Sequence, residues 1–166
     1  MKIQGQEIYV PYEVTIVIPR QSENIVLKAK GVEDFSEFEE ILPQPKPKYI
    51  TDKNGTRPDT NDPDYIKKVE DWSKKHLTWI ILKSLEATEG LEWDTVDISD
   101  PSTYDNLETE LKSSGFNDRE VVLIMSKCMD ANSLNDKTIK QAEKDFLAGQ
   151  EKAQIENFRS LEVQAT

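Results

Sequence analysis

One cysteine and one histidine among 166 residues leave little material for several kinds of chemistry. A lone Cys128 cannot form an internal disulfide, which fits a reducing compartment. One cysteine with one histidine cannot build a typical zinc site. The six glycines do not cluster, and neither G-x-G-x-x-G nor a phosphate-binding loop occurs. Basic charge is scarce as well: 21 Lys and Arg stand against 32 Asp and Glu, a net charge of −11. Such a chain repels phosphate backbones and anionic lipid, so neither nucleic acid nor a membrane is an expected partner. Long apolar runs are missing too. The most apolar stretch, Leu77 to Leu82, is far too short to span a bilayer. Met1 to Glu7 lack the apolar core of a signal peptide, so a soluble protein of the cell interior is expected.

What is present suits a folded domain. Apolar residues make up 36% and charged residues 32%, polar for a globular chain but short of the disordered extreme. Three Trp, five Tyr and five Phe argue for packing. The length fits one domain, or one domain with an attached subdomain.

The pattern along the chain predicts an α+β fold. Every even position from 8 to 18 is apolar (Ile8, Val10, Tyr12, Val14, Ile16, Ile18), the period of a half-buried strand. Pro11 makes this an edge strand or one that begins after it. Pro19 ends it, Arg20 to Asn24 form a turn, and Ile25 to Ala29 give the second strand of an antiparallel hairpin. Asp34 opens a short helix with Glu37 placed as the far end of a capping box, Phe35, Phe38, Ile41 and Leu42 as its apolar stripe, and Pro43 as its stop. Residues 1–42 thus read as a hairpin-plus-helix subdomain. Residues 43–62 read as a Pro-rich linker or exposed ribbon, with Asn54-Gly55 as a turn between Tyr49-Ile50-Thr51 and Thr56-Arg57. Residues 63–149 form a mainly helical region of about four helices, near 63–88, 101–114, 118–131 and 136–148. Asp62-Pro63, Asp100-Pro101, Asn117 with Glu120, and Asn135 supply the N-terminal signals. Gly90 and Gly115 stand where helix-terminating glycines belong. Trp79-Ile80-Ile81-Leu82 is apolar all round, the mark of a helix covered by its neighbours. Val121, Ile124, Met125, Cys128 and Met129 share one helical face. Leu91 to Ile98 is an extended connector whose Trp93 packs back onto the helices.

No residue pattern calls for catalysis. His76 lies mid-helix without a nucleophile motif and reads as a packed or surface histidine. Cys128, late on an apolar face, reads as a buried structural thiol. Asp59 to Asp64 is acid-dense, but the calcium-loop spacing fails: Asp64 stands where a glycine is needed. The expectation is no enzyme, no cofactor and no metal.

Two features point to protein binding. Trp72, Trp79 and Trp93 are either core residues or interface anchors. The tail, residues 150–166, carries Ile155, Phe158 and Leu161 at helical spacing amid charges. It could dock on its own domain, or fill a groove on a partner or a second copy, making a homo-oligomer.

Several stretches together resemble the tail assembly chaperones of long-tailed, siphovirus-like bacteriophages. They are Val17-Ile18-Pro19-Arg20; Phe35 to Pro47; Asp62-Pro63-Asp64-Tyr65; Leu82 to Trp93; Asp100-Pro101-Ser102-Thr103; Ser114-Gly115-Phe116; and Phe146 to Gln150. They run in order over roughly residues 10–150. The resemblance implies a factor of the host cell cytoplasm that holds the tape-measure protein and/or tail-tube subunits before assembly and is absent from the mature virion. The other reading is a structural virion protein, a tail or neck adaptor retained in the particle.

Deleting residues 151–166 should leave the melting temperature unchanged while weakening self-association or client binding. Calorimetry with sedimentation velocity checks this: lost thermal stability with unchanged association would make the tail part of the core.

Overall fold

The computed structural model describes residues 2–3, 6–7, 12–53, 55–132 and 144. The expected helix at 136–148, its Asn135 cap and the tail residues Ile155, Phe158 and Leu161 lie outside the described residues.

The chain opens with a very small antiparallel pair, β1 (Lys2–Ile3) with β2 (Gln6–Glu7), that the sequence pattern does not announce. The main hairpin follows: β3 (Glu13–Ile18) and β4 (Ile25–Lys30), antiparallel, with Ile16 opposite Leu27 and Ile18 opposite Ile25. The strand starts beyond Pro11, as one of the two readings of that proline requires. Alternation holds: Ile16, Ile18, Leu27 and Ala29 are buried, while Thr15, Val17, Val26 and Lys28 face outward.

Helix α1 (Ser36–Ile41) begins one residue later than the capping-box pattern expects. Phe35 holds the cap position with no side-chain cap. Asp34 accepts from the Ser36 N–H at 2.9 Å, and Glu37 pairs with Lys83 at 2.9 Å. Asp34 thus still serves the helix start, while Glu37 is drawn to Lys83 and the reciprocal half of the box is lost. Next, β5 (Tyr49–Asp52) and β6 (Gly55–Pro58) make an exposed ribbon. Asp52 pairs with Gly55, so the loop falls one residue before the expected Asn54-Gly55 position. Gly55 has φ of 112°, which a side chain would strain.

Helix α2 (Pro63–Leu85) starts as expected, with Asp62 accepting from the Asp64 N–H at 3.1 Å and Pro63 in its first turn. It stops at Leu85, short of Gly90. Its second half, Trp79 to Leu82 with Leu85, is buried on all sides. The hairpin's inner face, Phe38, Val96, Leu107, Leu111, Val121, Ile124 and Cys128 complete one continuous cluster around it. Hairpin and helices therefore share a core.

The expected helix at 101–114 is shorter than its spacing suggests. A 3-10 turn at Tyr104–Asn106 leads into α3 (Leu107–Ser113). The Thr103 hydroxyl accepts from the Asp97 N–H at 2.9 Å, and Asp100 accepts from the Ser102 N–H at 3.0 Å. These local side-chain bonds hold 97–103 in turns and compete with helix. After α3 the chain makes a complete Schellman motif. Gly115 N–H reaches Lys112 O at 3.0 Å and Phe116 N–H reaches Leu111 O at 3.2 Å, with Gly115 at φ 95°. Helix α4 (Asp118–Asn132) has the expected capping box: Asn117 accepts from Glu120 N–H at 3.1 Å, and Glu120 accepts from Asn117 N–H at 3.0 Å.

Two ties join the layers. Arg20, past the end of β3, grips Glu120 with both nitrogens at 2.6 and 3.0 Å and lies over the Phe116 ring. At the other end Asn132 accepts from the Val32 N–H and donates to Ser84 Oγ, both at 2.7 Å. No described helix is long and apolar enough to cross a membrane.

Ile81 is 5% exposed within this cluster. Ile81→Ala should cost about 2–5 kcal/mol in urea unfolding, and Ile81→Asp should abolish the soluble folded form. An Ile81→Ala loss below ~1 kcal/mol would place Ile81 outside the load-carrying packing.

Candidate partner-binding surface

The three tryptophans have three different settings. Trp79 is 1% exposed and packs against Phe38 at 5.6 Å, so it offers no surface to a partner in this structure. Trp72 is half-buried; its indole N–H donates to Leu42 O at 2.8 Å, fastening the end of α1 to α2. His76 joins this aromatic group, stacked on Phe38 at 4.8 Å and 5.0 Å from Trp72. Burial holds the His76 imidazole below its ordinary value, with Glu39 opposing. Its upstream neighbour Asp71 is engaged by Lys75 at 2.8 Å.

Trp93 is the half-buried tryptophan that borders open space. The connector carrying it is fixed by a carboxylate. Glu110, on α3, accepts from the Asp94 N–H at 2.6 Å, from the Thr95 N–H at 2.9 Å and from the Thr95 hydroxyl. Burial pushes the Glu110 carboxyl up, but these hydrogen bonds outweigh it and the net shift is downward. Asn106 adds a bond to Thr95 O at 3.1 Å, and Tyr104 donates to Ile98 O.

With the connector pinned, Leu91 and Trp93 form a ridge between two hollows. The first, about 210 Å³, is lined by apolar side chains of Ile25, Leu27, Leu91, Trp93, Leu111 and Phe116. The second, about 560 Å³ and more open, has Leu82, Val96 and Ile98 on its floor and Glu86, Asp94 and Asp97 at its rim. The Schellman turn sets Phe116 and Leu111 together at the first hollow. A second apolar feature lies on the hairpin's outer face, where Val17 and Val26 stand directly opposite at 51% and 50% exposure.

Sequence reasoning named Trp93 both as packed onto the helices and as a candidate interface anchor, and did not find the groove around it. One signal was available. From Ser84 to Leu111 there are nine acidic residues and not one Lys or Arg. Elsewhere the acids have local work: Asp62 caps α2, and Asp59 accepts from the Asn61 N–H at 3.3 Å. Among the described residues no group of three or more His, Cys, Asp or Glu is placed to hold a metal ion.

No family model matches the chain, and no curated protein or solved structure matches it either.

Cys128 is fully buried on the inner face of α4, and burial pushes its thiol up to about 12. A raised thiol pKa favours the folded state while the thiol stays protonated. Its contribution is complete below the ordinary value of 9.0 and is lost as pH rises toward 12. In a dithionitrobenzoate assay at pH 8 the folded protein should react at least about a hundredfold more slowly than the urea-unfolded chain. Equal rates would place the thiol at the surface.

Proposed function

We propose that this protein is a non-catalytic, protein-binding factor of phage tail morphogenesis. It holds the tape-measure protein and/or tail-tube subunits in the host cytoplasm before assembly and leaves before the particle is complete. The observation that carries the reading is the ordered set of stretches resembling tail assembly chaperones. Several of them fall at joints of the fold: Arg20 on Glu120, the Asp62-Pro63 start of α2, and the Gly115-Phe116 turn. The groove beside Trp93 supports it in kind, since a holding factor needs apolar surface to offer.

A structural virion protein, a tail or neck adaptor, is the second reading, and the hairpin favours it. Among the described residues nothing pairs with the outer edge of β3, and exposed Val17 and Val26 lie beside it. A neighbouring subunit could add a strand there.

Quantitative mass spectrometry of infected-cell lysate and purified particles from one culture separates the two. Abundance in lysate with absence from particles is the expected outcome. A fixed copy number in particles would replace the first reading with the second.

A further inference from the structure

We propose that the groove on either side of the Leu91–Trp93 ridge binds a peptide segment carrying two large apolar side chains flanked by Lys or Arg. The inference deepens the protein-binding reading above and rests on it only in taking the occupant to be a polypeptide.

In the smaller hollow, size argues for a side chain as the occupant. The closed hollow, about 210 Å³, falls below the ~300–1,000 Å³ of small-molecule sites. Its walls are apolar, and the polar atoms nearest its base are already used: Glu110 is bonded to the connector. What it lacks is an apolar group. The second hollow, on the far side of the same ridge, is larger and more open, with Leu82, Val96 and Ile98 as its apolar part and Glu86, Asp94 and Asp97 around them. A chain crossing the ridge can place one apolar side chain in each.

Charge specifies the flanks. Glu92 and Asp94 line the two hollows, Glu89 stands exposed two residues before Leu91, and none of the three has an ion-pair partner among the described residues. Glu86, Asp97 and Asp100 extend the same field. The cations that border this region are already engaged: Lys28 by Glu13, Lys83 by Glu37 and Glu86, Arg20 by Glu120. The field is therefore one-signed and selects a basic partner. Strand addition at this place is closed off, because the Thr88 hydroxyl accepts from Lys28 N–H at 2.8 Å and donates to Lys28 O at 2.9 Å. Binding here works through side chains in hollows rather than through a backbone ladder.

The test uses the full chain and three fluorescein-labelled synthetic peptides, read by fluorescence anisotropy. The first has two leucines four residues apart between lysine pairs. The second replaces the lysines by glutamates, and the third replaces the leucines by alanines. The first should bind saturably, and each of the others at least tenfold more weakly. On the protein, Trp93→Ala should weaken the first peptide by tenfold or more. Trp93 packs against the core, so the exposed triple variant Glu89→Gln, Glu92→Gln, Asp94→Asn is made alongside it. That variant should keep the parental circular dichroism and melting curve, lose affinity severalfold, and flatten the salt dependence. Equal binding of the lysine and glutamate peptides, or full affinity in the triple variant, overturns the proposal. So does self-association in sedimentation that disappears in the Trp93 variant while no peptide binds, which would make a second copy the occupant. The particle measurement above reads a different property. A chain absent from particles that fails the peptide test keeps the chaperone reading and loses this site. A chain retained in particles that passes keeps this site and loses that reading.

Discussion

The structure depends on the need to cover one helix from every direction. From Trp79 to Leu85 helix α2 shows water little beyond Lys83, which pairs with Glu37 and Glu86, and buried Ser84 is taken up by Asn132. A helix apolar all round is stable only inside other structure. The hairpin takes one side, Phe38 of α1 another, Val96 and Leu107 a third, and the inner face of α4 the rest. Each covering element is short and would be marginal alone. Their order along the chain matters less than their common need to be against α2.

How readily each part can be read from sequence follows from how local its cause is. The alternation at Ile16 and Ile18, the Asp62-Pro63 start, the Asn117–Glu120 box and the glycine at 115 each depend on a few neighbouring residues. All appear in the structure where the pattern places them. The misreadings arise where two local solutions compete. Asp34 and Glu37 have the spacing of a box, yet a lysine 46 positions on draws Glu37 away. Asp100-Pro101 has the form of a helix start, but Thr103 and Asp97 close turns first. The groove belongs to neither class. Its walls come from β4, α2, the connector and α3, and its shape depends on Glu110 reaching across to the Asp94 and Thr95 amides. No stretch of sequence contains that arrangement; only the missing basic residues between 84 and 111 hint at it.

The acidic excess is accordingly of two kinds. Some carboxylates are structural: Asp62 caps, Glu120 caps and grips Arg20, and Glu110 holds the connector by the Asp94 and Thr95 amides. Others, such as Glu92 at the groove and exposed Glu89 nearby, have no ion-pair partner among the described residues. The first kind is bound up with folding stability. The second leaves the fold alone and shapes the field that an approaching chain meets.

The two edges of the main hairpin are not equivalent, and this has a consequence for assembly. Thr88 stops the middle of the β4 edge with a single hydroxyl, whereas β3 keeps its outward backbone groups unpaired among the described residues. A sheet with two free edges can be lengthened indefinitely, as fibres are. One with a single free edge accepts one further strand per hairpin and then terminates. Two copies meeting β3 to β3 would form a symmetric pair whose outer edges both carry the Thr88 bonds to Lys28. A contact of that kind would join two molecules and no more, because each has a single edge to give.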